Sequence, residues 1–275
     1  MREPTISVPC SIWRRNGVTV GKRIIPEETA VAFTYDGGSY AVMMATPRDL
    51  EDFAFGFSFT EGVISSPGDI RQLDIVEHDS GMELRMWLTE PRAGALSERR
   101  RYLAGPTGCG LCGIDSLDEA VRPPKRVTEG PTFAPADIMR ALELLPPRQE
   151  LNLQTRAVHA AAFWQPSGGL IAVREDVGRH NALDKLAGAL LRERAAVSGG
   201  MVLLTSRVSV EMVQKTAALG APVIAAVSAP TALAIRTAEA AGITLVAVAR
   251  GDGFEIFANP GRIKEPAEKA VTHVA

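Results

Sequence analysis

Two of the three cysteines in this 275-residue chain stand three positions apart, in Thr107-Gly108-Cys109-Gly110-Leu111-Cys112-Gly113. Glycine gives the backbone freedom and leaves the sulfurs unshielded. A thiolate is a strong nucleophile at neutral pH, and access decides much of its reactivity. Several chemistries use such a pair. A structural zinc site needs four ligands, usually two pairs of this kind. Only Cys10 and four histidines (His78, His159, His180, His273) remain, at unrelated spacings. A dithiol oxidoreductase places its Cys-x-x-Cys at a helix start, whereas Gly110 and Gly113 disfavour a helix through the pair. A buried structural pair would need more apolar flanking sequence than stands here. The remaining chemistry is sulfur relay, in which one thiolate accepts a sulfane sulfur as a persulfide and an acceptor takes it by exchange at sulfur. On the cysteines alone these readings stay open.

A second cluster is Arg174-Glu175-Asp176-Val177-Gly178-Arg179-His180-Asn181-Ala182-Leu183-Asp184-Lys185. Polar side chains crowd the junction between an apolar strand and an apolar-faced helix, and Gly178 would let a ligand approach the backbone. In open α/β sheets ligands sit at the carboxyl ends of strands. Thr205-Ser206-Arg207-Val208-Ser209 and Ser228-Ala229-Pro230-Thr231 occupy the same kind of junction further on. Helix N–H groups, hydroxyls and an arginine can cradle phosphate. Each junction alone reads more often as just a helix cap. Three at equivalent places suggest an anionic, nucleotide-like ligand. His159 lies in an apolar strand and reads as a core residue, and Cys10 has no assigned role.

These groups need elements to position them. Residues 31–35 and 39–45 flank Asp36-Gly37-Gly38 and predict a hairpin. Thr46-Pro47-Arg48-Asp49 predicts a helix start, with a capping Thr, Pro at N1 and an acid at N3. Leu50, Phe53, Ala54 and Phe57 continue it at helical spacing. Met82, Leu84, Met86 and Leu88 alternate with polar neighbours as a strand. These elements predict a small α+β domain over 1–104. The cysteine segment and a Pro-rich linker fill 105–134. Beyond them, strands at 170–174, 201–205, 223–228 and 244–249 alternate with helical patterns. Alternation of this kind predicts, over 135–275, a mixed, mostly parallel sheet with helices on both faces.

Bulk composition narrows the classes. With 46% apolar and 23% charged residues the chain reads as soluble and globular. A formal net charge of -2 gives no general attraction to nucleic acid or anionic membrane. Met1-Arg2-Glu3-Pro4 opens without an apolar run, so no secretory signal is expected. The apolar stretch 221–235 is interrupted by Pro222, Ser228 and Pro230, too short and broken to span a bilayer. Three cysteines do not make a disulfide scaffold, and a reducing cytoplasm fits.

Together the segments Thr107 to Gly113, Glu175 to Lys185 and Ser228 to Leu233 resemble the formate dehydrogenase accessory sulfurtransferases, the FdhD family, over the full length of the chain. Thr60-Glu61-Gly62 and Arg250-Gly251 are weaker points of similarity. The resemblance implies a sulfurtransferase. It would accept persulfide sulfur from a cysteine desulfurase on Cys109 or Cys112. It would deliver that sulfur to the molybdenum or tungsten of a bis-molybdopterin guanine dinucleotide, activating formate dehydrogenase. Arg179, Ser206, Arg207 and Ser228, with the helix starts, would hold the cofactor's diphosphates. His180 and Asn181 would orient it or assist proton movement. No structural metal is implied, and a homodimer is the commonest oligomeric state. The second domain would resemble the cytidine deaminase fold without its zinc signature, which needs His-x-Glu followed by Pro-Cys-x-x-Cys. Two segments depart from the family pattern: Thr155-Arg156-Ala157 stands where relatives commonly have Thr-Gly-Gly, and Thr205-Ser206-Arg207 where many have Ser-Gly-Arg. Two other functions stay open, a cofactor-binding chaperone without sulfur transfer and a metal-dependent hydrolase on a deaminase-like fold.

Overall fold

The computed structural model describes residues 2–94, 96 and 123–264. Cys109 and Cys112 therefore lie outside the described residues.

Asp36 and Gly37, both with positive φ, turn the predicted hairpin, β3 (Thr29–Tyr35) into β4 (Gly38–Ala45). Two further strands, β5 (Ile70–His78) and β6 (Gly81–Leu88), complete a four-stranded sheet in the order β4-β3-β6-β5. Helix α1 (Leu50–Thr60) lays Phe53 and Phe57 against Phe33, with the Phe33 and Phe53 rings edge to face at 4.9 Å. Ahead of this sheet, β1 (Thr5–Arg14) and β2 (Gly17–Pro26) form a two-stranded ribbon that the sequence reading did not anticipate.

The start of α1 corrects one expectation. Thr46 does not cap it; the helix begins at Leu50, and Asp49 precedes it in the left-handed region at φ 54°. Thr46 is buried and already engaged: its N–H donates to Asp176 and its hydroxyl accepts from the N–H of Val177. The hydroxyl that would cap the helix is drawn off by a backbone N–H more than a hundred residues away.

The second sheet has six strands in the order β12-β11-β10-β9-β7-β8: β7 (His159–Gln165), β8 (Gly169–Asp176), β9 (Met201–Leu204), β10 (Val223–Ala226), β11 (Thr244–Arg250) and β12 (Gly253–Ala258). Only β9 with β10 and β10 with β11 pair in parallel; the other three pairings are antiparallel. The sheet is mixed, as expected, but antiparallel rather than parallel pairings predominate. The reason is local: tight turns at Gln165–Gly169 and Arg250–Gly253 close hairpins on both flanks, and a short turn permits only an antiparallel neighbour.

Helices cover both faces. α4 (Arg179–Arg192), α5 (Val210–Leu219) and α6 (Ala232–Ala241) pack with Phe163, Leu204 and Ile224 on one side. α2 (Pro135–Glu143) packs Ile138 and Ala141 with Trp164 and Leu203 on the other. A short α3 (Glu150–Thr155) leads into β7 and ends at Arg156, whose φ of 58° is left-handed. That is a backbone conformation glycine adopts freely, at the position where the sequence departs from the family pattern.

The two sheets are joined by α1 crossing α4. A Cβ added to Gly56 would stand 1.7 Å from the Asp184 carbonyl, and one on Gly188 would stand 1.8 Å from the Asp52 carbonyl. Both glycines are therefore demanded by backbone-to-backbone contact. Beside the crossing, Asp52 is buried and receives Arg174 at 2.7 Å and Arg192 at 2.5 Å. No helix among the described residues is long and apolar enough to cross a membrane.

Candidate functional site at the strand ends

The charged run 174–185 divides into two sets of side chains with different directions. Most of it turns inward. Glu175 accepts the N–H groups of Leu151 and Asn152 and so caps α3. Asp176 is fully buried and takes Lys185 Nζ at 2.6 Å, the Thr46 N–H at 3.0 Å, the Gly178 N–H at 2.7 Å and the Asn181 amide at 2.9 Å. Lys185, equally buried, also donates to the Thr46 carbonyl. Asp184 accepts the Thr60 hydroxyl at 2.6 Å and Lys215 Nζ at 2.8 Å, and Lys215 reaches Glu61 at 3.1 Å. Thr60 and Glu61, read from sequence only as a weak similarity, thus clamp the end of α1 to α4 and α5.

Two readings change as a result. Asn181 gives its amide hydrogens to Met44 and Asp176 and is buried. It braces the joint between the sheets rather than facing outward to a ligand. Gly178 is not open for a ligand either: a Cβ there would stand 2.7 Å from the Asn181 amide nitrogen. A run of polar residues at a strand end signalled a binding site, yet much of its polarity satisfies a buried ionic joint.

What remains outward lines one edge of the sheet. β9, β10 and β11 run together, and β8 runs with them because both β8 and β9 are antiparallel to β7. The ends of β8, β9 and β10 therefore share an edge, as the three polar junctions required. The first turn of α4 sets Arg179 and His180 there. Arg179 Nε is buried without a hydrogen-bond partner among the described residues. His180 Nε2 lies 3.7 Å from a Glu211 carboxylate oxygen, beyond hydrogen-bond range. Thr205 is pinned by accepting the Ala160 N–H, so Ser206 and Arg207 follow at a fixed place. The Ser206 hydroxyl donates to the Arg207 carbonyl, and the residue is buried. Val208 and Pro230 bridge the two loops, with hydrogen bonds from Val208 to Ala229 and from Thr231 to Val208. This stitch brings the Arg207 loop alongside the Ser228 loop. α5 and α6 then begin from this edge, Thr231 capping α6 through the Ala234 N–H.

Three further contributors carried little or no sequence signal. His159, which by sequence reads more often as a core residue, opens β7 beside Asp176 at this edge and is only half-buried. Arg250 reaches across from β11 to the Val227 carbonyl. Val248 stands at φ 54°, a strained conformation for a β-branched residue, and its N–H donates to the Ser228 carbonyl. Alternation along the strand could have marked His159; no sequence signal marks Val248.

Burial and the Arg179 charge hold both His159 and His180 below the ordinary histidine range, with Asp176 opposing at His159 and Glu211 opposing at His180. Glu211 itself is lowered: burial works against ionisation, but donors at the start of α5 and His180 outweigh it. The edge is thus arginine-rich with neutral imidazoles, an arrangement that attracts anions. Two hollows lie elsewhere: one of about 220 Å³ beside Arg48, Arg174 and Glu175, another of about 440 Å³ beside Phe59, Leu190 and Leu219. The strand ends are the stronger candidate because polar loops and helix starts from separate elements meet there, and Arg179 Nε and His180 Nε2 are buried without a hydrogen-bond partner among the described residues. Among the described residues, no group of three or more His, Cys, Asp or Glu side chains is arranged to hold a metal ion.

Fold and site define a mixed α/β protein with an anion-attracting edge at its strand ends. The chain belongs to the FdhD/NarQ family, whose model matches residues 26–264. It is 55% identical to the sulfur carrier protein FdhD of Agrobacterium fabrum, covering 91% of this chain and 93% of that one. It is 48% identical to the sulfur carrier protein FdhD of Cupriavidus necator, over 94% and 90% of the two chains. A crystal structure of a candidate formate dehydrogenase accessory protein from Desulfotalea psychrophila superposes with a TM-score of 0.76. That protein is 26% identical, and the match covers 95% of this chain and all of that one.

Proposed function

We propose that this protein is a sulfur carrier that serves formate dehydrogenase. Sulfur would arrive as a persulfide on Cys109 or Cys112, given by a cysteine desulfurase, and leave for the molybdenum or tungsten centre of a bis-molybdopterin guanine dinucleotide. The observation that carries this reading is the convergence of Arg179, Arg207 and Ser228 with two helix starts on one sheet edge. Such an edge fits the charge of a dinucleotide diphosphate. Membership of a family whose relatives are named sulfur carriers supports the sulfur step. In this reading the edge holds the client cofactor while the cysteine pair supplies sulfur, the chain being divided into 1–104, the 105–134 segment and 135–275. The mixed sheet with helices on both faces supports kinship of 135–275 with the cytidine deaminase fold, and a cytoplasmic place suits a cysteine pair that must be reduced to accept sulfur.

Incubation with a cysteine desulfurase and cysteine, followed by mass spectrometry of the intact chain, tests the reading. Added sulfur is expected on the wild type and absent from a Cys109→Ala, Cys112→Ala variant. A wild type that gains no sulfur, or a double variant that still activates formate dehydrogenase, overturns the sulfur-carrier reading.

A further inference from the structure

One group at the strand-end edge has no place in the scheme above. His159 is the first residue of β7. It shares a sheet face with Ala161 and Phe163, which pack beneath α4 with Leu183 and Leu186, because alternate residues of a strand point the same way. Its imidazole therefore lies under the first turn of α4, where it feels the charges of Arg179 and Asp176. His180 follows Arg179 in the first turn of α4 and lies 3.7 Å from Glu211 of α5, with the Lys215 charge also acting on it. Arg179, whose Nε has no partner among the described residues, thus acts on both imidazoles.

We infer that His159 is a further ligand-binding residue of this edge, and that it and His180 take up protons as an anionic diphosphate arrives. The inference rests on the reading of the edge as a diphosphate site. In the free protein Arg179 and burial disfavour a charged imidazole. A bound diphosphate reverses the sign of the local potential: it neutralises Arg179 and offers acceptor oxygens to each N–H. Neutral imidazole has one donor and one acceptor nitrogen, and protonation turns both into donors. Binding and proton uptake are then linked, so affinity rises as pH falls through the histidine range.

The probe must not titrate in the same window. A terminal phosphate has a second pKa of about 6, so GDP itself would confuse the result. GDP-mannose carries its diphosphate as a diester and stays fully ionised. Its binding to the full-length protein is measured by titration calorimetry at about pH 8 and about pH 6, in buffers of different ionisation enthalpy. The wild type is expected to bind more tightly at the lower pH, by about tenfold for each unit through which one proton is taken up, with protons drawn from the buffer. His159→Gln is expected to bind more weakly than the wild type at about pH 6, lose part of the uptake and show a flatter pH slope. His159→Lys, permanently charged, is expected to bind at both pH values with the same flattening. A wild type that binds without proton uptake overturns the inference whether or not either variant folds. So does a folded His159→Gln protein with the full uptake and slope. Either result leaves the diphosphate reading standing; a wild type that binds no GDP-mannose at any pH overturns both.

Discussion

Asp176 is the residue on which the molecule turns. It is fully buried at the end of β8, and its two oxygens collect four donors, from Thr46, Gly178, Asn181 and Lys185. A buried pair adds little over a well-packed apolar substitute, but breaking one half leaves an uncompensated charge. Lys185→Met is therefore expected to destabilise the protein by about 3–5 kcal/mol, read as a lower urea midpoint. An unchanged midpoint would show that Asp176 needs no cation. At the same scale, the sequence named the right neighbourhood and assigned some side chains the wrong job. Arg179 and His180 reach the shared edge, whereas Asn181, Asp184 and Lys185 turn into the joint. Their direction depends on partners from Met44 to Glu61, which no local pattern in 174–185 can reveal.

Elements were most legible where one face meets one core. Leu50, Phe53 and Phe57 repeat at helical spacing because that stripe of α1 packs on the four-stranded sheet, while its other side meets α4. The strands at 201–204 and 223–226 are short apolar runs because both faces are covered. The β1–β2 ribbon was illegible for the opposite reason: Trp13 is 79% exposed and Val20 86% exposed, so hydrophobicity does not track burial, and Pro9 argues against a strand. Strand direction was misread because a turn, not strand composition, decides it. The glycines of α1 and α4 were also passed over, since a glycine inside a helix reads as a defect. Here each one admits the neighbouring backbone. Gly188→Ala is expected to cost about 1–3 kcal/mol or more through overpacking, although alanine is the better helix former. Thermal unfolding checks the sign: a raised midpoint would mean that the helices separate freely at this point.

For the whole molecule, the joint matters as much as the edge. The residues that complete the ion pairs around the six-stranded sheet come from α1 and the residues flanking it: Thr46 for Lys185, Thr60 and Glu61 for Lys215, Asp52 for Arg174. A fragment spanning 123–264 alone would carry these groups bare. It is expected to unfold at lower urea than the full chain, or to aggregate. Equal stability of fragment and full chain, by the same midpoint, would mean that the joint is dispensable.

The backbone contact between Gly56 and Gly188 also bears on descent. Two helices that touch through missing side chains tolerate no independent drift, because a methyl gained on either one collides with a carbonyl of the other. Halves taken from two distant relatives would fit only where both ancestors kept this crossing and its charges in step. Gene shuffling that separates the two sheets should thus be rare among such proteins, and chimaeras spliced within α1 or α4 should fail more often than those spliced in the hairpin turns.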